Sequence, residues 1–226
     1  MKISGCFVIC MLLCCIAVCA DTHYVDINNS TPAQPYTTWE TAANNIQSAI
    51  DEAIAGDTVL VSNGVYSITS RITVSKNIEI RSVNGAKFTI VDSGGSAQCF
   101  YLGSICQLIG LTITNGYSTS SGGGIRCANN DAIISACILT GNHAVNDGGG
   151  MYKGEVYNCV ISGNRADRHG GGIYQTEAHN SAVSGNTAHR GGGIYEGFAN
   201  NCTISGNWAN FAGGGVRSAI VKNSIM

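Results

Sequence analysis

From Gly141 onward the chain writes one sentence almost four times: GNHAVNDGGGMY, GNRADRHGGGIY, GNTAHRGGGIY and GNWANFAGGGVR. The equivalent asparagines Asn142, Asn164, Asn186 and Asn207 are 22, 22 and 21 residues apart, and the last glycines of the triplets, Gly124, Gly150, Gly172, Gly193 and Gly215, step by 26, 22, 21 and 22. A period this short, with glycine and asparagine at fixed places and no helical pattern inside it, restricts the chain to a solenoid, in which each repeat buries its apolar face against its neighbours.

What each repeat contains sets the class of solenoid. Cys159-Val160-Ile161 and Gly172-Ile173-Tyr174 are short, β-prone and bounded by glycine or asparagine, so each turn supplies short strands joined by bends. Stacked turns of that kind make a parallel β-helix, with every residue above its counterpart at the strand spacing of ~4.8 Å. Such stacking demands columns, and columns are present. Ile125, Met151, Ile173, Ile194 and Val216 form one aliphatic column, and Leu139, Ile161, Val183, Ile204 and Met226 a second. Ile138, Val160, Ala182, Thr203 and Ile225 make a mixed column expected to face outward. Asn158, Asn180, Asn201 and Asn223 align at a bend, where stacked amides are expected to hydrogen-bond along the pile.

The repeat unit, an aliphatic residue three before Asn and then Ala, polar residues, GGG, Ile and Tyr, resembles the repeats of chlamydial polymorphic outer-membrane proteins. Those repeats pair an FxxN motif with GGAI; here Ile161-Ser162-Gly163-Asn164 carries an aliphatic residue at the Phe place and Gly170-Gly171-Gly172-Ile173 stands for GGAI. The likeness covers residues 111–226 loosely and 141–217 well. More broadly the chain resembles the right-handed β-helix, or pectate-lyase-like, superfamily. That resemblance implies an N-terminal helical cap, and enzymes that work in a groove along one sheet with carboxylates, sometimes calcium, and an arginine or lysine as base.

Residues 1–20 read as an export signal: Lys2, an apolar run from Phe7 to Val18, and small residues before Asp21. A rival reading lipidates Cys19. The expected location is secreted or cell-surface, with no membrane span in the mature segment. Residues 21–64 read as the cap and first strand, with a helix over about 38–54 opened by a Thr37–Glu40 capping box and closed by Gly56. The passage IQSAIDEAIAGDTVLVSNGVY in this region resembles the cap and first turn of pectate-lyase-like β-helices. Residues 65–118 are irregular early coils and 119–226 the regular array. The last segment, from Val221 to Met226, reads as the opening strand of another repeat with no polar cap after it. The expectation is a truncated chain that continues into further coils or an anchor.

Outside the export segment six cysteines remain: Cys99, Cys106, Cys127, Cys137, Cys159 and Cys202. An even count in an exported protein invites disulfides, whereas the column shared by Cys137, Cys159 and Cys202 with Ser181 and Ser224 reads as inert core thiols. A net charge of −2 gives no footprint for nucleic acid.

Two outward features bear on chemistry. Asp147, His169 and Arg190 share the column just before the glycine triplets, close enough across successive coils to shift one another's protonation, and are the catalytic candidates. The plainer reading is a solvated bend whose charges pair loosely. Tyr152, Tyr174 and Tyr195, bracketed by Arg126 and Arg217, together with Trp208, are the candidate ligand-binding residues, either stacked on one another or offered to sugar rings. The acidic residues of the repeats are scattered over several columns, so no metal site and no cofactor is expected; calcium belongs only to the enzyme alternative. The functional expectation is an exported surface or adhesin-like module binding polysaccharide or a cell-surface glycan. The alternative is a polysaccharide lyase or glycoside hydrolase of the pectate-lyase-like class. An ice- or mineral-binding face would need a regular outward Thr or Asp array, and the outward columns are too mixed for it.

Overall fold

A computed structural model describes residues 20–103 and 105–226, and there the chain winds as an all-β parallel solenoid of about seven turns. The export segment read at residues 1–20 lies, apart from Ala20, outside the described residues. A representative coil runs Met151–Tyr152, Glu155–Tyr157, Val160–Ser162 and Arg165–Ala166. The first two strands join a 13-stranded first sheet, the third a 7-stranded second sheet, and the fourth a 5-stranded third sheet.

The strand registers reproduce the columns. Ile125 pairs with Met151, Met151 with Ile173, Ile173 with Ile194 and Ile194 with Val216, and the column continues downward through Phe100 to Ile72. Leu139, Ile161, Val183 and Ile204 stack likewise and are buried. Full burial of each such side chain is worth ~1.5–3 kcal/mol, and the whole interior is one continuous aliphatic pile. Val160, in the mixed column, is 42% exposed, as its outward placement requires. In the early coils the run Leu108 to Ile113 is two strands, Gln107–Ile109 and Thr112–Thr114, because Gly110 turns the chain at φ +68°.

Glycine triplets exist because coils meet backbone to backbone at that corner. A Cβ on Gly149 would lie 2.2 Å from the Arg165 carbonyl oxygen and 2.4 Å from that of Gly171. The asparagines that mark the period fill the space beside them. Asn142, Asn164 and Asn186 are buried and form a ladder: Asn164 Oδ1 accepts from the backbone N–H of Asn142 (3.0 Å) and from its Nδ2 (2.9 Å). Asn164 Nδ2 donates to the Leu139 carbonyl (2.9 Å) and to Asn186 Oδ1 (3.0 Å), and the same bonds repeat upward to Asn207. The exposed column behaves differently. Asn158, Asn180, Asn201 and Asn223 sit at φ of 53°, 50°, 56° and 48°, the left-handed region that asparagine tolerates. Of the expected amide stack only Asn201 to Asn180 bonds, at 2.7 Å; the Asn223 amide donates to Asn200 instead.

The cap corrects the helix read at 38–54. The helix is Ile46–Glu52, and its N-cap is Asn45, whose side chain accepts from the Ser48 N–H, not Thr37. Ala42 and Ala43 are fully buried because they lie along the bottom strand Thr22–Val25: Ala43 donates to the Tyr24 carbonyl and accepts from the Asp26 N–H. Pairing with that edge outcompetes helix over 38–44. The helix then serves the neighbouring edge. Gln47 Oε1 accepts from the Thr73 N–H (2.8 Å) and its Nε2 donates to the Thr73 carbonyl (3.2 Å), copying a strand against Ile72–Val74. Lys76 Nζ closes the helix on the carbonyls of Ile50, Asp51 and Ala53. Asp57 stitches the pieces together, accepting from the N–H groups of Asp21 and Ile54 and bonding His23 Nε2 at 3.0 Å.

Candidate functional site

The column of Asp147, His169 and Arg190 is brought together as its spacing requires. Parallel bridges link 147 to 169 and 169 to 190, and His169 Nδ1 lies 2.7 Å from Asp147 Oδ1. Both side chains are mostly buried, 14% exposed for His169 and 15% for Asp147. Nδ1 faces a carboxylate and so carries the proton, which leaves the Nε2 lone pair directed at Arg190, whose Nη1 is 3.5 Å away. The chain of charge thus runs carboxylate, imidazole, guanidinium across three coils. Arg190 lies over the Phe211 ring at 4.8 Å, and its buried Nε has no partner. A general base needs a free lone pair pointing at substrate. Here that lone pair points at a cation, and the ring is covered by Tyr195 at 4.4 Å between centroids.

The tyrosine column is a self-contained stack. Tyr152 and Tyr174 are 5.3 Å apart and Tyr174 and Tyr195 5.6 Å, with interplanar angles of 4° in both pairs. Arg126 lies over Tyr152 at 5.9 Å, and Tyr195 pairs in register with Arg217. Burial, then the nearby carboxylates Glu196 and Asp147, push the Tyr174 hydroxyl up to about 12. Of the two arrangements expected for Tyr152, Tyr174 and Tyr195, the rings adopt the stack on one another, with Tyr174 covered on both faces.

Trp208 stands apart from that stack, on the third sheet in strand Trp208–Ala212, and is 61% exposed. It borders a groove of about 360 Å³ whose walls include Arg165, Asp167, Thr187, His189 and Asn210. These residues fall two apart along successive strands, so each coil turns a pair of side chains out while Ala144, Ala166 and Ala188 point into the core. Asp167 accepts from Arg165 (2.9 Å) and bonds His143 Nε2 (3.0 Å). Burial would raise its carboxyl, but these bonds outweigh that and hold it below its ordinary value. Beyond it Tyr117 packs edge-on against His143 at 5.5 Å. Trp208 was legible as an exposed aromatic; its polar neighbours were not, because their columns change residue at every coil.

Among the described residues no group of three or more His, Cys, Asp and Glu is placed to hold a metal ion, and no helix is long and apolar enough to cross a membrane. The six cysteines are free and buried. Burial pushes the thiols of Cys99 and Cys106 up to about 12 and that of Cys159 up to about 11, and raises those of Cys127 and Cys137 as well, so none of these five is a poised nucleophile. Ser181 Oγ accepts from the Cys159 N–H and Ser224 Oγ from the Cys202 N–H, both at 3.0 Å, which places serine and cysteine in one interchangeable column. No family model, no curated protein and no solved structure matches the chain.

Proposed function

We propose that this chain is an exported β-helix surface module that binds polysaccharide along its third sheet, with Trp208 as the principal contact. The observation that carries the reading is the exposed indole beside a groove whose walls carry hydroxyl, amide, imidazole, carboxylate and guanidinium groups. An apolar ring face flanked by hydrogen-bonding side chains suits a sugar, which presents C–H faces and hydroxyl edges. The groove runs parallel to the solenoid axis, the direction in which a linear polymer meets the same pair of columns coil after coil. The likeness of the repeats to polymorphic outer-membrane protein repeats supports a surface role.

The test is titration with neutral and uronic-acid polysaccharides in a Trp39→Phe background, which leaves Trp208 as the sole indole. The expected outcome is a shift in indole emission that saturates, and loss of binding in the electrophoretic retardation of a Trp208→Ala variant by about tenfold, or ~1.4 kcal/mol. Retardation unchanged by Trp208→Ala would remove the groove from the account.

The 2.7 Å pair of Asp147 and His169 favours a second reading, a polysaccharide lyase or hydrolase of the pectate-lyase-like class. Against it stand the engagement of Nε2 with Arg190 and the covering ring of Tyr195. New reducing ends or unsaturated products that vanish in Asp147→Ala, His169→Ala or Arg190→Ala would establish it.

A further inference from the structure

Charge is sorted between the sheets of the regular array. Glu155, Glu177 and Glu196 all lie in strands of the first sheet, at Glu155–Tyr157, Ile173–His179 and Ile194–Asn200. The third sheet and the bend after it, residues 143–147, 165–169, 187–190 and 208–212, hold Arg165, Arg168 and Arg190 but no lysine. Their only acids are Asp147 and Asp167.

Both acids are already engaged within the face. Asp167 bonds His143 Nε2 (3.0 Å) and accepts from Arg165 Nε (3.0 Å) and Nη2 (2.9 Å), and Asp147 is mostly buried against His169 Nδ1 at 2.7 Å. Among the described residues no carboxylate lies within 4.0 Å of the Arg168 or Arg190 guanidinium. These two cations border the Trp208 groove. Arg190 lies over the Phe211 ring at 4.8 Å, and the same ring stacks at 5.5 Å on His189, which is a groove wall. Arg168 is exposed and follows Asp167, another wall, by one residue. The Arg190 N–H donates to the Arg168 carbonyl at 2.9 Å, so the two side chains leave adjacent coils.

We propose that the polysaccharide bound along the third sheet is sulfated, with Trp208 against a sugar ring and Arg168 and Arg190 on sulfate esters. This rests on the polysaccharide reading of the Trp208 groove and adds the class of sugar. Arginine without lysine selects the group, because a guanidinium is a rigid fork of N–H donors that matches an oxyanion edge. A carboxylate has two oxygens, which one fork fills. A sulfate ester presents three outer oxygens, enough to accept from forks on two coils whose backbones are ~4.8 Å apart. A neutral sugar would leave both cations without a counter-charge.

Three polymers on one backbone test this: dextran, carboxymethyl-dextran and dextran sulfate, each added to the full chain in the Trp39→Phe background and followed by Trp208 emission. At low salt dextran sulfate is expected to bind about tenfold more tightly than dextran, an advantage that shrinks as added salt screens exposed charge. Carboxymethyl-dextran should fall between them. Arg168→Gln and Arg190→Gln should each weaken dextran sulfate about fivefold and leave dextran unchanged. Because Arg190 also meets His169, the exposed Arg168 keeps the test valid if Arg190→Gln alters the fold. Equal binding of dextran and dextran sulfate, carboxymethyl-dextran as tight as dextran sulfate, or no loss in Arg168→Gln would overturn the sulfate assignment and leave the groove standing. So would an equal loss in Lys153→Gln, which lies between strands of the first sheet. Saturation by none of the three would remove the groove and the sulfate assignment together.

Discussion

Two asparagine columns run the length of the regular array with the same period and opposite duties. Asn142, Asn164 and Asn186 are buried beside the glycine corner, and each amide is fully engaged with the coils above and below. Asn158, Asn180 and Asn201 are exposed at a bend and are there for their backbone, which holds φ near +50°. Ala136 occupies the same bend at φ 51°, whereas no residue but asparagine appears in the buried ladder from 142 to 207. A repeated residue thus records a repeated place in the coil; burial decides whether its side chain or its backbone is what that place requires.

Replacing Asn164 by Ala is expected to give the largest effect. The Asn142 N–H and Nδ2, the Leu139 carbonyl and the Asn186 Oδ1 each lose a partner, in a corner where these asparagines are buried. At ~1–3 kcal/mol for a buried group left unsatisfied, the sum is at least ~3 kcal/mol, and the urea midpoint should fall sharply. A midpoint near that of the parent would break the distinction between the columns.

The cap sharpens the same point through a charged acceptor. Asp57 is 2% exposed and satisfies the N–H groups of Asp21 and Ile54 as well as His23. Burial pushes its carboxyl up, but those two amides and then His23 outweigh it, so its value in the folded chain is lowered from 3.8. A carboxyl lowered on folding stabilises above its unfolded value and loses that contribution as the pH falls through its folded one. Stability should therefore fall below pH about 4, and Asp57→Asn should flatten that part of the profile. An identical acid limb in the variant would remove Asp57 from the clamp.

Asn180→Ala should have the smallest effect. The left-handed bend costs an alanine roughly 1 kcal/mol, Ala136 already bears it, and Asn180→Gly should be neutral within ~0.5 kcal/mol. Thermal midpoints of the two variants check this. A loss as large as that of Asn164→Ala would mean the exposed amides are a ladder too.

Much of the fold was legible because stacking forces like residues into columns: the aliphatic registers from Ile125 to Val216 follow from the period alone. The Asp147, His169 and Arg190 column was legible for the same reason. Three things were hidden. The helix start was misplaced because Ala42 and Ala43 fit a helical face and also fit a strand edge, and only the presence of Tyr24 beside them decides. The duty of each asparagine column depends on burial, which a period does not encode. The walls of the Trp208 groove vary from coil to coil, as Arg165 over Thr187 shows, so no repeat marks them.

The side-chain amide protons test the central distinction without any substitution. Their hydrogen exchange can be followed residue by residue by nuclear magnetic resonance. The expected result is slow exchange, by orders of magnitude, for the Nδ2 protons of Asn142, Asn164 and Asn186, and exchange at the solvent rate for those of Asn158 and Asn180. Comparable rates in the two columns would contradict it.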